Sequence, residues 1–282
     1  MTNAKKTRFY DMGNIGDMLK HGMMAEFISW WSSINHDKKK FVFLDPFCGC
    51  PWDNCPNPVV IERLEDLGKL RDKYGQKFEI INAQSDFGKS RYYGSTHVAI
   101  HQIRSCGLLP DVYVSDKEDY LIDELTNSDN KNIKKIECEY FCPSCGYSIL
   151  KSIIKKTPFA DMVLIDPFYR IDKIIKITSE ISQASEKTAI VLFVLIKVNK
   201  NDTSKWQDIC NKLNKNSIIL TCPPLKGTTV CGEGYYKVGV ILMSHLLADA
   251  EASKLRKKLT CYAAALTEVI KKFPDGQKIT CK

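Results

Sequence analysis

The sequence contains no hydrophobic run of the about 18 residues that a membrane-spanning helix needs. Its basic first residues do not lead into an apolar signal core, and it has neither internal repeats nor a low-complexity linker. The first two absences exclude an integral membrane protein and predict a cytoplasmic location without a membrane partner. The third predicts one continuous domain over residues 1–282.

Positive charge is in modest excess. The sequence has 41 lysines and arginines and 33 aspartates and glutamates, which gives a net charge of +8. Such an excess favours binding to a polyanion and makes RNA the predicted partner, although a solvated lysine-rich surface would give the same balance. Hydrophobic residues make up 44% of the chain, which is enough for a sizeable core. The sequence carries no signal for an oligomeric state.

Cysteine is abundant, with 12 residues, but the spacing does not resemble that of a small secreted disulfide scaffold. Two clusters stand out: Cys48, Cys50 and Cys55, and Cys138, Cys142 and Cys145. Four of these thiolates could hold a structural zinc ion, and disulfides are a further alternative. The second cluster also has the spacing of radical S-adenosylmethionine enzymes, but those place it early in a different barrel. We therefore favour free thiols.

Short apolar runs separated by helical stretches predict a largely parallel sheet that is covered on both faces. The runs are residues 41–45, 112–116, 132–138, 162–166, 189–196, 217–221 and 238–243. Three of them end in aspartate, at Asp45, Asp116 and Asp166. Because ligands of such α/β sheets bind at the carboxyl ends of the strands, we expect the functional site there.

Helical periodicity is clear near both ends of the chain. One apolar stripe consists of Leu19, Met23, Phe27, Trp30 and Ile34, and a similar stripe covers residues 255–269. On the first helix, acidic and basic side chains at positions 17 and 21 lie on the opposite face. The first two strands are separated by about 65 residues, more than a plain crossover needs, so residues 51–90 are predicted to form an inserted subdomain.

The motif with the clearest chemistry is Asp166-Pro167-Phe168-Tyr169, directly after a predicted buried strand. The exocyclic amine of a nucleobase is a poor nucleophile because its lone pair is delocalised into the ring. A carboxylate and a backbone carbonyl directed by proline can accept its N–H bonds, while an aromatic ring stacks on the base. The same residues would also suit a simple turn at the end of a strand.

Three further segments are candidates for ligand binding. The loop after the first strand, at residues 45–50, occupies the place of a nucleotide-binding turn but has only one glycine, so a plain loop fits equally well. Asp116 could hold the ribose hydroxyls of a nucleoside cofactor or cap a helix. Lys20 and His21 could bind an anionic ligand or have a structural role.

Together, these segments resemble the large-subunit rRNA adenine-N6 methyltransferases of the RlmJ type. Residues 11–21, which read DMGNIGDMLKH, match the family pattern HAGN-x-AD-x-x-KH. Residues 91–96 read RYYGST and match RYYPGSP, one residue shorter, and residues 166–169 match DPPY. Asp116 has the place of the family's acid after the second strand. The order holds from about residue 8 to 245, which is most of the chain.

The resemblance implies a Rossmann-like class I methyltransferase fold, with a mostly parallel sheet, an antiparallel last strand and a helical insertion. It implies S-adenosylmethionine (SAM) as cofactor and adenine N6 in RNA, favouring large-subunit rRNA, as the methylated group. The residues that would bind the cofactor are Lys20, His21, Phe47, Ser95, Asp116, Cys145 and Gly146. The catalytic residues would be Asp166 and Pro167, with Tyr169 stacking on the adenine.

Three departures from the family pattern surround the implied pocket. Phe47 stands where the family has a cofactor-contacting histidine, Cys145-Gly146 stands for an Asp-Gly pair, and Phe168 replaces the second proline of the catalytic motif. These departures keep open a second hypothesis, a non-catalytic relative that acts as an RNA- or complex-binding scaffold. A DNA adenine methyltransferase is a third, since it would use the same motif chemistry.

Overall fold

The computed structural model describes residues 12–86, 89, 91–116, 118–128, 133–135, 160–166, 175–176, 178–181, 188–202, 204–213, 216–229, 232–271 and 279–281. The predicted site residues outside these ranges are Pro167, Tyr169, Cys138, Cys142, Cys145 and Gly146, and Phe168 lies outside them as well. The described helices are α1 (Ile15–Ile34), α2 (Pro58–Lys69), α3 (Arg71–Tyr74), α4 (Glu79–Ala83), α5 (Ser95–Ser105), α6 (Asp119–Ser128), α7 (Ser204–Leu213) and α8 (Ala252–Lys271).

The strands form one large sheet and one small pair. They are β1 (Lys40–Asp45), β2 (Trp52–Asp53), β3 (Tyr92–Tyr93), β4 (Leu109–Val114), β5 (Ile133–Lys135), β6 (Met162–Ile165), β7 (Ala189–Val198), β8 (Ser217–Thr221), β9 (Leu225–Thr229), β10 (Gly232–Met243) and β11 (Thr280–Cys281). The large sheet has the order β11-β8-β10-β7-β6-β1-β4-β5, with β9 paired to β10. Strands β5, β4, β1, β6 and β7 are parallel, and β10 runs antiparallel between β7 and β8. The predicted mostly parallel sheet with an antiparallel late strand is confirmed.

Apolar layers cover both faces of this sheet. On one face, the core contains side chains of α1, α5 and α8, while on the other it contains side chains of α7 together with Ile175 and Ile181. The segment between β1 and β4 contains helices α2 to α5 and the small β2–β3 pair, and its residues Val60, Leu64 and Phe78 join the α1-side core. Within the described residues, no helix is long and apolar enough to cross a membrane.

Helix α1 differs from the amphipathic helix that its apolar stripe predicts. The Asn14 side chain caps its N-terminus by accepting hydrogen bonds from the backbone N–H groups of Gly16 and Asp17. Almost the whole helix is buried, including the polar face with Asp17 and His21. Helices α4, α5 and α8 and strands β7, β8 and β10 contact it from several sides, so the helix lies inside the molecule. Periodicity identifies only the more apolar side of such a helix.

Candidate active site

The candidate site lies at the carboxyl ends of β1 and β6, which are neighbouring parallel strands with Leu44 opposite Val163. Asp45 is the last residue of β1 and Asp166 directly follows β6, so both carboxylates lie at the same edge of the sheet. The first turns of α1 bring Lys20 to this edge. The acids at the ends of β1 and β6 therefore lie beside the N-terminal motif.

Lys20 connects two carboxylates across the site. Its Nζ donates a hydrogen bond to Asp166 Oδ2 at 2.5 Å and lies 3.2 Å from Asp17 Oδ1. The other oxygen of Asp17 accepts a hydrogen bond from the backbone N–H of Gly13 at 3.0 Å. Lys20 is only 5% exposed, and its Nζ lies 5.5 Å from the centre of the Phe193 ring. A cation in this position holds Asp166 in place as a charged hydrogen-bond acceptor.

Asp45 is completely buried beneath the site. Its Oδ2 accepts hydrogen bonds from the Ser95 hydroxyl at 2.6 Å and from the Thr96 hydroxyl at 3.1 Å. Burial nevertheless raises the pKa of Asp45 to about 6, against the lowering effect of the Ser95 hydrogen bond and the Lys20 charge. Ser95, predicted to bind the cofactor, thus also fixes the loop end of β1 to the first turn of α5.

One ring nitrogen of His21 has hydrogen-bond partners, and the other has none. Its Nδ1 lies 3.0 Å from the Tyr92 hydroxyl and 3.4 Å from Gln84 Nε2, and its ring stacks on that of Tyr92. Its Nε2 is buried without a hydrogen-bond partner. Burial, and secondly the positive charge of Lys20, hold the pKa of His21 well below its usual range, so the ring is neutral. A buried polar atom of this kind is suited to bind a ligand.

The Asp116 side chain is hydrogen-bonded to the loop after β1. One of its carboxylate oxygens accepts a hydrogen bond from Gly49 N at 2.9 Å, and the other accepts one from Glu118 N at 3.1 Å. Gly49 has a φ of +60°, a left-handed conformation that glycine adopts without strain. Helix α6 begins at Asp119, three residues after Asp116, so this carboxylate braces the turn before the helix and remains half-exposed.

Phe47 and Gly94 shape the same loop from two sides. The Phe47 ring is half-buried and packs against the apolar cluster on the α7 side of the sheet. Gly94 passes so close to the loop that a Cβ atom there would lie 2.2 Å from the carbonyl oxygen of Cys50. The Arg-Tyr-Tyr-Gly-Ser segment therefore needs its glycine for close packing against the β1 loop, and this packing places Ser95 next to Asp45.

The first cysteine cluster does not converge on a common point suited to a metal. Cys48 is buried, Cys50 is half-buried and Cys55 is exposed. Burial, and secondly the charge of Asp45, raise the pKa of the Cys48 thiol well above its usual range, which disfavours the thiolate that zinc requires. Among the described residues, no group of three or more histidine, cysteine or acidic side chains could hold a metal ion. The second cluster lies outside those residues.

Sequence reasoning missed several residues that the fold brings to this site. Asp17 and Thr96 share the carboxylate network, Tyr92 and Gln84 support His21, and Phe193 on β7 lies beside Lys20. Tyr92 carried a usable signal, because it belongs to the segment that resembles the family pattern. A polar groove of about 780 Å³ at the other end of α1, lined by residues such as Ser32, Lys77 and Gln102, contains none of the predicted residues.

The strand order, the parallel central strands and the antiparallel β10 define a Rossmann-like class I methyltransferase fold. Among solved structures, the chain is similar to the Legionella pneumophila protein LPL1258 of family DUF519. The TM-score is 0.65 at 17% sequence identity, and the match covers 96% of this chain and 97% of that one. At this level of identity, the similarity concerns the fold.

Two further structures are more distantly similar. A putative class I SAM-dependent methyltransferase from Listeria monocytogenes has a TM-score of 0.37 at 13% identity, over 88% of this chain and 73% of that chain. Pyrococcus horikoshii TYW2, in complex with MeSAdo, has a TM-score of 0.37 at 10% identity, over 84% of this chain and 65% of that chain. No protein-family model matches the sequence, and no curated protein matches it either.

Proposed function

We propose that this protein is a SAM-dependent methyltransferase that methylates the N6 amine of adenine in RNA, with large-subunit rRNA as the favoured substrate. The observation that carries the proposal is the Lys20–Asp166 pair at the carboxyl end of β6. The contact of His21 with Tyr92 joins two motifs of the family resemblance and adds support, as does the hydrogen bond from Ser95 to Asp45 at the end of β1.

The residues of the candidate site fit a SAM molecule. His21 offers a neutral ring with a buried, unpartnered Nε2, Lys20 offers a cation for the carboxylate of the cofactor, and Asp116 is half-exposed at the place where a ribose is bound in such folds. SAM, when bound, supplies the electrophilic methyl group. The departure at Phe47 does not remove these groups, because its ring packs against the apolar cluster on the α7 side and leaves the polar residues in place.

Asp166 would accept an N–H bond of the adenine amine and so direct its lone pair toward the methyl donor. Lys20 keeps the carboxylate oriented, and the burial of Lys20 beside the partly buried Asp166 limits the access of water to their interaction. No covalent intermediate is needed, since the rate enhancement comes from placing the amine in line with the methyl group. The amine would carry a positive charge once it is methylated, which the Asp166 carboxylate would stabilise until the surplus proton is released to water.

Substitution of Asp166 tests the proposal directly. In Asp166→Asn, the charged acceptor is lost, and we expect methyl transfer to adenine to fall by at least about 100-fold, in line with the loss of a positioned catalytic group. Labelled SAM and rRNA from cells that lack the protein provide the assay. SAM binding, measured by calorimetry, should persist in the variant. Full activity of the variant would contradict the assigned role.

A scaffold function is the second candidate, favoured by the apolar Phe47 at the place of a cofactor-contacting histidine and by the buried, protonated thiol of Cys48. The two candidates differ in their affinity for SAM. Calorimetry on the folded wild-type chain separates them, because a scaffold would give no heat even at millimolar SAM. A DNA substrate is distinguished by comparing methyl transfer to RNA and DNA strands of the same sequence.

A further inference from the structure

The Gln84 side chain, at the C-terminal end of α4, is fully buried between β3 and His21. Its Oε1 accepts a hydrogen bond from the backbone N–H of Tyr93 at 2.7 Å, and its Nε2 donates one to the carbonyl oxygen of the same residue at 2.9 Å. The same Nε2 lies 3.4 Å from His21 Nδ1. One amide group thus contacts both the backbone of β3 and the ring of His21.

The two hydrogen bonds to Tyr93 leave the Gln84 amide only one orientation. If its oxygen and nitrogen exchanged places, two donors would face each other at the Tyr93 N–H and two acceptors at the Tyr93 carbonyl. Nε2 has two hydrogens and uses one of them for this carbonyl, so the second is available for His21 Nδ1. Because an amide nitrogen can only donate, Nδ1 is the acceptor in this contact.

The other neighbour of His21 Nδ1 does not decide where the ring carries its proton. The Tyr92 hydroxyl, 3.0 Å away, can either donate to Nδ1 or accept from it. Burial, and secondly the charge of Lys20, hold the pKa of His21 well below its usual range, so the neutral ring has a single proton. Since Nδ1 accepts from Gln84, this proton lies on Nε2.

His21 Nε2 is therefore a hydrogen-bond donor. It is buried, and within the described residues it has no hydrogen-bond partner. A buried donor without an acceptor is costly, so a ligand at this nitrogen has to bring an acceptor. The amino-acid end of SAM has one group of each kind, because its carboxylate accepts hydrogen bonds and its ammonium group only donates. The charge of Lys20, the preceding residue, also favours the carboxylate.

We propose that Gln84 is a positioning residue, which keeps the proton of His21 on Nε2 and so makes His21 a hydrogen-bond donor to the carboxylate of the cofactor. A purely structural role for Gln84, the attachment of α4 to β3, would use only its two hydrogen bonds to Tyr93. The inference rests on the proposed function for the identity of the ligand. The position of the proton, in contrast, is a property of the protein alone.

NMR of the full chain with isotopically labelled histidine locates the proton, because protonated and unprotonated ring nitrogens have different chemical shifts. The signals of His21 are assigned by their loss in His21→Asn. In the wild type at pH 7, Nε2 should carry the proton and Nδ1 should carry none. In Gln84→Glu, an oxygen that accepts replaces the nitrogen that donates, so Nδ1 should gain a proton.

Tyr92→Phe is the matched control, because it removes the other neighbour of Nδ1 and keeps Gln84. It should retain the wild-type position of the proton. A proton on Nδ1 of the wild type would overturn the proposal. So would a proton that moves in Tyr92→Phe but stays on Nε2 in Gln84→Glu, since Tyr92 would then set the tautomer.

Calorimetry with SAM and with its decarboxylated form tests what the donor binds. The wild type should bind SAM more tightly. Gln84→Met leaves the tautomer of His21 undetermined, so SAM affinity should fall about three- to tenfold, because only part of the population has the proton on Nε2. Affinity for the decarboxylated form should change much less, and equal losses for the two ligands would contradict the assigned contact. If thermal unfolding shows that the variant is not folded, the wild-type proton position and the wild-type preference for SAM decide.

Failure of the inference differs from failure of the proposed function. If the wild-type chain binds SAM and transfers methyl groups, but Nδ1 of His21 carries the proton, only the role of Gln84 is wrong. If Nε2 carries the proton and Gln84→Glu moves it, but the wild-type chain binds no SAM, the proposed function is wrong. The positioning of the His21 proton by Gln84 would then stand, and its assignment to the carboxylate of SAM would fall.

Discussion

The two halves of α1 both bury charged side chains, but they arrange them differently. In the first half, Lys20 lies between Asp17 and Asp166 at 3.2 and 2.5 Å. In the second half, Glu26 is fully buried, and its nearest described cation, Lys258 on α8, lies 3.7 Å away. One arrangement is a tight ion pair at the carboxyl ends of β1 and β6, and the other is a loosely compensated carboxylate between helices.

This difference distinguishes the Lys20–Asp166 pair of the candidate site from Glu26, which connects two helices. Glu26 accepts a hydrogen bond from the backbone N–H of Glu79 at 3.0 Å and so attaches α4 to α1, but its second oxygen has no hydrogen-bond partner. Burial raises the pKa of Glu26 to about 7. The fold therefore keeps a compensated charge at Asp166, in the candidate site, and tolerates partial neutralisation of the Glu26 carboxylate between helices.

The largest expected effect comes from Lys20→Met, which removes the cation between the two carboxylates. We expect a loss of about 3–5 kcal/mol in the free energy of unfolding, because a buried pair broken on one side leaves uncompensated charge. Urea unfolding at pH 7 measures it. Lys258→Met is the matched change in the other half, and it should cost much less, since Glu26 can take up a proton. Equal losses would remove the distinction between the halves.

The second prediction concerns Glu26→Gln and pH. The pKa of Glu26 rises from 4.5 in the unfolded chain to about 7 in the fold, so the folded state binds the proton more tightly. Its contribution to stability is therefore fully present below pH 4.5 and is lost as the pH rises toward 7. The stability of Glu26→Gln relative to the wild type should rise by about 2–3 kcal/mol between pH 4.5 and 8.

Urea unfolding of both proteins across this pH range isolates the Glu26 contribution. Asp45 and Asp161, whose pKa values burial raises to about 6, change the stability of both proteins in the same direction and cancel in the difference. A constant difference between wild type and variant would show that folding does not raise the pKa of Glu26, as expected if a cation compensated its charge closely. That result would make the two halves of α1 alike.

Much of the parallel sheet was predictable because its strands are continuous apolar runs. Strands β1, β6 and β7 begin and end within about two residues of the predicted runs, and Asp45 and Asp166 meet at one edge because neighbouring parallel strands end there. Strand β10 begins six residues before the predicted run, at Gly232. Its first half contains two glycines, which suggest a turn, and only the pairing with β7 and β9 makes it a strand.

The contacts of the site were less predictable than its residue types. Lys20 and Asp166 are 146 positions apart, and no local pattern indicates that one binds the other. The near-complete burial of α1 was also hidden, because a helix packed on several sides carries polar residues on the faces that pair with other elements. The resemblance to a family named His21 and Ser95, but only the fold shows that Tyr92 and Asp45 are their partners.

The smallest expected effects come from two helix glycines. Gly22 lies between the two halves of α1 and tests how tightly the middle of that helix is packed, and Gly68 in α2 is the control in open space. At Gly22, a Cβ atom would lie 2.2 Å from the Tyr262 ring, whose hydroxyl donates a hydrogen bond to Met18 O at 2.6 Å. Gly22→Ala should therefore cost about 1–3 kcal/mol by overpacking. At Gly68 in α2, a Cβ would meet nothing within 4 Å, so Gly68→Ala should stabilise by about 0.5–1 kcal/mol. Thermal unfolding compares them. A Gly22→Ala variant that loses no stability would mean that the Tyr262 ring moves aside, and that the middle of α1 is not tightly packed.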